Sequence, residues 1–247
     1  MISKNKLKEL AAYRQQRRCD EEAVFVVEGP KMAAEALTSG FVIRTVCATT
    51  EWLADNGAGV AAECHEVSLA ELERLSNQKA PNQVWMLVER KDFKDLNDLK
   101  DSDDLVLALD RIQDPGNLGT MMRTADWYGI RHIVCSTDTV SCYNPKVVQA
   151  SMGAVFRMRV EYVDLPQWLA TCGMPVFGAS LQGEPLPTIH HPLPARKILL
   201  IGNESRGISP EAMAHVTHPV LIPNIGGTAE SLNASVAAAI LIDRLIG

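Results

Sequence analysis

Aromatic residues are scarce in this chain, at 5% of its 247 residues. That scarcity disfavours the class of single-strand binder that stacks nucleic-acid bases on aromatic side chains. No apolar run approaches the roughly 18 to 20 residues that a membrane helix needs. The first eighteen residues are charged and lack the apolar stretch of a signal peptide. We therefore expect a cytoplasmic protein without a membrane span.

Metal-ligand patterns are also missing. The six cysteines are scattered without a C-x-x-C pair, which indicates neither a zinc ribbon nor a disulfide framework. The histidine pairs 190–191 and 215/218 lack a supporting third ligand. We expect reduced, buried thiols and no metal site.

Charge is unevenly distributed along the chain. Thirty acidic residues against 24 basic ones give a net charge of −6, so the whole-molecule field does not attract nucleic acid. The exception is the first eighteen residues, where Glu9 is the single acid and six side chains are basic: Lys4, Lys6, Lys8, Arg14, Arg17 and Arg18. On charge alone, a solvated amphipathic helix explains this segment better than a nucleic-acid contact.

Apolar runs alternate with helical patterns, which predicts an α/β fold. The first part contains strand-like runs at 23–29, 43–49 and 84–90, a helix opening at Pro30, and a capping box from Ser68 to Glu71. Residues 91–104 are polar and poor in aliphatic side chains, as a linker is. We therefore expect two domains, 1–100 and 101–247.

The second part contains five short apolar runs, at 105–110, 132–136, 175–180, 197–202 and 218–223. Runs of this kind predict a parallel sheet covered on both faces. Ligands bind such sheets at the carboxyl ends of the strands. Three of the runs lead into unusual loops: one that carries Asn117 and Arg123, one from Gly202 to Gly207, and one from Gly226 to Asn233.

Simpler motifs do not explain these loops. The spacing from Gly202 to Ser209 imitates a phosphate-binding loop, but Ile208 stands where the lysine is required, which excludes an ordinary nucleoside triphosphatase. Ser231 lacks the G-x-S-x-G elbow of a serine hydrolase.

Taken together, the loops resemble the three motifs of the SpoU-type RNA 2′-O-ribose methyltransferases of the SPOUT superfamily. The matching residues are Asn117 and Arg123 in motif one, Gly202, Glu204 and Gly207 in motif two, and Ile222, Pro223, Ser231, Leu232 and Asn233 in motif three. The resemblance covers residues 105–247 and extends more weakly to 1–90. Two departures stand out: Asn224 replaces a residue that is often apolar in the family, and the loop before Ser231 is about one residue longer than in some relatives.

The resemblance implies a C-terminal parallel-sheet domain with a trefoil knot, preceded by a smaller N-terminal α/β domain that binds RNA. It implies S-adenosylmethionine as the cofactor and a homodimer as the assembly. The residues it assigns to the cofactor are Gly202, Asn203, Glu204, Gly207, Ile222, Pro223, Ser231, Leu232 and Asn233. The basic residues of the first eighteen positions are then expected to contact RNA phosphates.

The resemblance also implies a catalytic set: Arg123, Asn117, Glu204, Ser231 and Asn233. Arg123 is expected near the ribose hydroxyl, either as a general base or as a group that positions a phosphate and stabilises a developing alkoxide. A guanidinium normally stays protonated, and the sequence does not choose between these roles. Asn117 and Asn233 are expected to orient the substrate or Arg123, Ser231 to hydrogen-bond nearby, and Glu204 to anchor its loop and steer Arg123.

Four of these residues also have a structural explanation, which for Glu204 is the satisfaction of loop amides. Asn117 and Ser231 are suitable helix caps, and Arg123 is spaced to pair with Asp126 on a helix surface. The rival functions are a non-catalytic RNA-binding or assembly factor and an enzyme that methylates a base, the latter disfavoured by the Ser-Leu-Asn motif together with Arg123. Ribosomal RNA is preferred to transfer RNA as the substrate.

Overall fold

The chain forms two units, each with its own sheet. The computed structural model describes residues 2–57, 61–91, 105–185 and 193–246. The first unit comprises residues 1–92 together with 143–156, and the second comprises 93–142 and 157–247. Nearly all of the expected linker 91–104 lies outside the described residues.

The helices and strands follow each other in the order of an α/β protein. In the first part of the chain they are α1 (Lys4–Ala11), α2 (Gln16–Glu21), β1 (Val24–Glu28), α3 (Pro30–Thr38), β2 (Ile43–Ala48), α4 (Thr50–Asn56), β3 (Glu63–Glu66), α5 (Leu69–Leu75) and β4 (Val84–Glu89). The remainder are β5 (Leu105–Leu109), α6 (Pro115–Trp127), β6 (His132–Ser136), α7 (Pro145–Ser151), β7 (Arg159–Val163), α8 (Leu165–Thr171), β8 (Val176–Pro185), β9 (Lys197–Ile201), α9 (Pro210–Met213), β10 (His218–Leu221) and α10 (Ala234–Ile246).

The first unit has a four-stranded sheet in the order β1-β4-β2-β3, in which β2 and β3 are parallel and the other pairs antiparallel. Local signals in the sequence place its helices correctly. The capping box is formed: Glu71 N donates to Ser68 Oγ, and Ser68 N donates to Glu71 Oε2 at 2.8 Å. α3 begins at Pro30 as predicted, since proline needs no hydrogen-bond acceptor in the first turn.

Residues 143–156 belong to the first unit although they lie between β6 and β7 in the sequence. Aromatic packing accounts for this. The Phe25 ring lies 4.7 Å from the Tyr143 ring and 5.9 Å from the Phe156 ring, centroid to centroid, and Phe156 also packs on Phe41. Burial of these rings stabilises the segment against β1 and the loop before β2.

The second unit has a parallel sheet in the order β10-β8-β9-β5-β6-β7. β5, β6 and β9 are buried along their whole length, which confirms the prediction of a sheet covered on both faces. From β5 the chain adds β6 and β7 on one side, whereas β9, β8 and β10 lie on the other. β5 and β9 are therefore the neighbours at which the strand order reverses, the position where such sheets bind ligands.

β8 continues to Pro185 and does not end at residue 180, where its apolar run stops. Its register with β10 shifts abruptly: Gly178 pairs with Pro219, whereas Glu184 pairs with the next residue, Val220. Residues 179–183 therefore bow out of the ladder. A Cβ on Gly183 would collide with the backbone of Pro219, so the close approach that follows the bulge requires glycine.

All six cysteines are free, and four of them are buried: Cys19, Cys47, Cys135 and Cys142. Burial raises the pKa of Cys19 to about 11 and that of Cys47 to about 12, so these thiols are unreactive. The expectation of reduced, buried thiols is confirmed for these four. Among the described helices, none has the length and apolar character needed to cross a bilayer.

Candidate active site

Side chains from all three motif loops meet at the carboxyl edge of β5 and β9. Asn117 lies in the first turn of α6, Glu204 follows β9, and Asn233 precedes α10. Asn233 Nδ2 donates to Asn117 Oδ1 at 2.9 Å, and Asn117 Nδ2 donates to Glu204 Oε1 at 2.6 Å. The three side chains form a continuous hydrogen-bonded relay, although Asn117 is 87 residues from Glu204 and 116 from Asn233.

The direction of this relay is fixed by its surroundings. Asn233 Oδ1 accepts from the backbone N–H of Ser235 at 2.9 Å and of Val236 at 3.3 Å, so this atom must be the oxygen. Asn233 therefore presents its amide nitrogen to Asn117, and Asn117 must in turn donate to Glu204. Asn117 is buried, with 8% of its surface exposed. The relay ends on a carboxylate, which makes its last hydrogen bond charge-assisted.

The relay shows that Asn117 and Ser231 are not helix caps. Asp114 caps α6, because its Oδ1 accepts from Asn117 N at 2.8 Å. α10 begins at Ala234, and the Asn233 side chain accepts from its first free N–H groups. Ser231 is exposed and lies before this cap. The capping explanation is therefore wrong for both residues.

Glycines close the second loop tightly around Asn203. The backbones of Asn203 and Gly207 are joined by two hydrogen bonds, of 3.0 and 2.9 Å. A Cβ on Gly202 would collide with the backbone of Gly207 and Ile208, and Gly207 has a φ of +66°. Both positions thus require glycine. The Asn203 side chain ties this loop to the first one by donating from Nδ2 to Arg111 O at 2.9 Å.

Arg123 lies on α6 with its side chain exposed, and it forms no ion pair or hydrogen bond with the described part of the chain. The spacing to Asp126 does not produce a pair, because Asp126 binds Arg131 at 3.1 Å and Arg157 at 2.9 Å. The side-chain partner of Glu204 is Asn117, and within the described residues Glu204 forms no ion pair with Arg123. The Arg123 guanidinium is therefore accessible to a substrate.

A cavity of about 390 Å³ opens beside the third loop. Its walls are residues 179–181 from the bulge of β8, most of 220–232, and two side chains of α10. Four of the nine residues expected to hold the cofactor line it: Ile222, Pro223, Ser231 and Leu232. The other five do not line it: Gly202, Asn203, Glu204, Gly207 and Asn233 belong to the second loop and the relay.

Sequence reasoning did not single out the contribution of β8 to this cavity. Ser180 and Leu181 line it because the bulge turns them away from the ladder. The available signal was the run Gly178-Ala179-Ser180, small residues at the carboxyl edge of another parallel strand. The cavity has apolar walls such as Leu181 and Leu241 and polar groups on Ser180 and Glu230, a combination that is typical of small-molecule sites.

Asn224 organises the third loop. Its Oδ1 accepts from Gly227 N at 2.7 Å, and its Nδ2 donates to the carbonyl oxygens of Gly227 at 3.1 Å and Ala229 at 3.3 Å. Gly226 completes the turn with a φ of +84°. One side chain thus closes the loop upon itself.

The basic residues at the start of the chain divide into two groups. Lys6 lies 3.0 Å from Glu9 and 2.9 Å from Glu63, Arg17 lies 2.9 Å from Glu21, and Arg18 pairs with Glu22. The others are exposed and form no ion pair within the described residues: Lys4, Lys8 and Arg14. The unpaired cations are better placed to contact a polyanion.

Comparison with known proteins relates both units to RNA-modifying enzymes. Residues 104–243 match the SpoU rRNA Methylase family, and residues 4–85 match the MRM3-like substrate binding domain. The chain is 31% identical over 227 residues to the 23S rRNA (guanosine(2553)-2′-O)-methyltransferase RlmP of Bacillus subtilis (strain 168). The aligned region covers 90% of this chain and 88% of the relative.

Solved structures agree over the whole length. An AdoMet-bound rRNA methyltransferase from Sinorhizobium meliloti superposes with a TM-score of 0.86 at 28% identity, covering 99% of this chain and 95% of that one. A TrmH-family protein from Porphyromonas gingivalis superposes with a TM-score of 0.88 at 36% identity, covering 99% and 98%. The similarity therefore includes both units.

Proposed function

Because the chain belongs to the SpoU rRNA methylase family, we propose that it is an RNA methyltransferase that transfers a methyl group from S-adenosylmethionine to a ribose 2′-hydroxyl. Ribosomal RNA is the proposed substrate class, since the similar Bacillus protein is named for 23S rRNA. The observation that carries this proposal is the relay of Asn117, Glu204 and Asn233, which joins the three motif loops beside a cavity of suitable size.

We assign the cavity to S-adenosylmethionine. Ile222, Pro223 and Leu232 would hold its adenine with backbone groups and apolar contacts, while Ser180 and Glu230 would face its polar tail. When bound, this cofactor supplies a methyl group on a positively charged sulfur, which is already activated for transfer. The chain's own task is therefore alignment of the two reacting centres and help with removal of one proton.

We assign Arg123 an electrostatic role. A guanidinium stays protonated in proteins, and Arg123 has no described carboxylate partner that would neutralise it. It would hold a phosphate next to the target ribose and stabilise the 2′-oxygen as that oxygen releases its proton to solvent water. The relay would keep Asn233 fixed, and with it the neighbouring Ser231 and Leu232 at the cavity wall.

The first unit would bind the RNA. The matches to residues 4–85 and 104–243 support a division at about residue 100, and the exposed Lys4, Lys8 and Arg14 would contact phosphates. Replacing Lys4, Lys8 and Arg14 with alanine should weaken RNA binding and flatten its dependence on salt. Equal binding by this variant and the wild type at low and high salt would contradict the assignment.

We further propose a homodimer, a trefoil knot in the second unit, and action in the cytoplasm. Trp127 is 86% exposed at the end of α6 and Val236 is 47% exposed on α10, so both of these apolar side chains face solvent in the single chain. Burial of exposed apolar side chains of this kind is a common driving force for association.

A methyl-transfer assay tests the function. Ribosomal RNA from cells lacking the protein is incubated with the purified enzyme and labelled S-adenosylmethionine, and the 2′-O-methyl position is mapped. Arg123→Ala should lower the rate by about 10²- to 10³-fold, whereas Arg131→Ala, which removes an arginine just before β6, should not. RNA binding without any methyl transfer by the wild type would support the rival assembly factor.

A further inference from the structure

Arg111 occupies a strained position next to the relay. It lies two residues after β5 and has a φ of +58°, a left-handed conformation that costs energy for any residue with a Cβ. Its backbone is held from both sides: its N–H donates to Ser136 Oγ at 2.8 Å, and its carbonyl accepts from Asn203 Nδ2 at 2.9 Å. Two other loops thus impose the conformation.

The Arg111 side chain has donors that the fold does not use. Its Nε is buried and forms no hydrogen bond within the described residues, although it lies 3.5 Å from Asp110 Oδ1. Asp110 is itself buried and accepts from Ser209 N through Oδ2 at 2.6 Å. A quarter of the Arg111 side chain remains exposed. The carboxylate thus holds the guanidinium in place without saturating its donors.

The position of Arg111 beside the relay favours a phosphate group as its ligand. Arg111 lies at the carboxyl edge of β5, in the same loop as Asn117, and its carbonyl is bonded to the loop that carries Glu204. A guanidinium fork matches the geometry of a phosphate and forms two parallel hydrogen bonds with it. Glycine would occupy this backbone position without strain, so the arginine side chain itself needs an explanation.

We propose that Arg111 binds a phosphodiester group of the RNA next to the nucleotide to be methylated. The inference rests on the proposed function and adds a substrate-binding residue that is not among the matching motif residues. The surrounding loops hold the Arg111 backbone in its strained conformation. This conformation would keep the guanidinium close to the relay, where the RNA would approach.

Arg111→Asn tests the proposal, because asparagine tolerates the left-handed conformation and carries no charge. An unmodified transcript of 23S ribosomal RNA serves as the probe. We expect the KM for this RNA to rise by about tenfold or more, and the slope of log binding constant against log salt to fall by about 0.7 to 0.9, the value of one phosphate contact. The affinity for S-adenosylmethionine should not decrease, whereas the melting temperature should fall, because the buried Asp110 loses the cation beside it. Arg111→Lys, which keeps the charge but not the fork, should retain the salt slope and recover part of the affinity.

Arg131→Asn is the matched control, since Arg131 precedes β6 at the opposite edge of the sheet and pairs with Asp126. It should leave the KM and the salt slope unchanged. An unchanged salt slope and KM for Arg111→Asn would overturn the inference, as would a joint loss of cofactor affinity and melting temperature, which would show a purely structural role. Absence of methyl transfer by the wild type would instead contradict the proposed function.

Discussion

Removal of the Asn117 side chain tests the relay most directly. Asn117→Ala deletes one charge-assisted hydrogen bond to Glu204, worth about 1.5–3 kcal/mol, and one neutral bond from Asn233, worth about 0.5–1.5 kcal/mol. We therefore expect a loss of about 2–4 kcal/mol in the free energy of unfolding of the second unit. At about 2–4 °C per kcal/mol for a domain of this size, the melting temperature should fall by about 5–15 °C.

Asn117→Asp separates the relay from simple packing, because it preserves the shape of the side chain. Its second oxygen would lie against Glu204 Oε1, where the amide nitrogen now stands at 2.6 Å. Two carboxylates at this separation cannot both be ionised. The folded variant therefore binds one more proton than its unfolded chain, so its stability is present at low pH and lost as the pH rises.

Thermal unfolding followed by circular dichroism between pH 5 and pH 8 measures this effect. We expect Asn117→Asp to approach the wild type at pH 5 and to resemble Asn117→Ala at pH 8. Asn144→Asp is the matched control, since Asn144 caps α7 by accepting from Lys146 N at 2.9 Å and aspartate caps equally well. Equal melting temperatures for Asn117→Asp and the wild type at pH 8 would refute the relay.

Three further changes have defined outcomes. Asn224→Ala removes the three hydrogen bonds that close the third loop. Calorimetry should show an affinity for S-adenosylmethionine that is about five- to tenfold lower, because the cofactor must then order the loop on binding. An undiminished affinity would contradict this role of Asn224. Burial raises the pKa of the Glu28 carboxyl, so its contribution to stability is present at low pH and lost as the pH rises. The wild type should therefore gain stability relative to Glu28→Gln between pH 7 and pH 4, and a constant difference in melting temperature would disprove this. Trp127→Glu should convert the proposed dimer to a monomer in light scattering, and an unchanged mass would remove Trp127 from the interface.

Much of the fold could be predicted because its signals are local. The capping box at Ser68, the proline that begins α3 and the apolar runs that became β5 and β9 each depend on a few neighbouring residues. Two strands, β3 and β7, were not predicted because their local sequences are weakly apolar. β3 has no fully buried residue and β7 has one, Glu161, so neither carries a continuous apolar run.

The candidate site was predicted in part. The motif pattern named Asn117, Glu204 and Asn233, but it did not show that they bind one another in a fixed direction, or that Arg123 is free of Asp126. Four residues that the motifs assign to the cofactor line the cavity: Ile222, Pro223, Ser231 and Leu232. Ser180 was missed, because a register shift between two strands turns it toward the cavity, and no short sequence pattern encodes such a shift.

The sequence by itself determined the class of fold, the order of its elements and the motif residues, since apolar periodicity and turn chemistry act over a few positions. Tertiary structure alone decided which polar groups meet, where residues 143–156 pack, and that Arg111 is held in a left-handed conformation. These features arise from contacts between residues that are in several cases more than a hundred positions apart, and their energy exists only once the fold has brought those residues together.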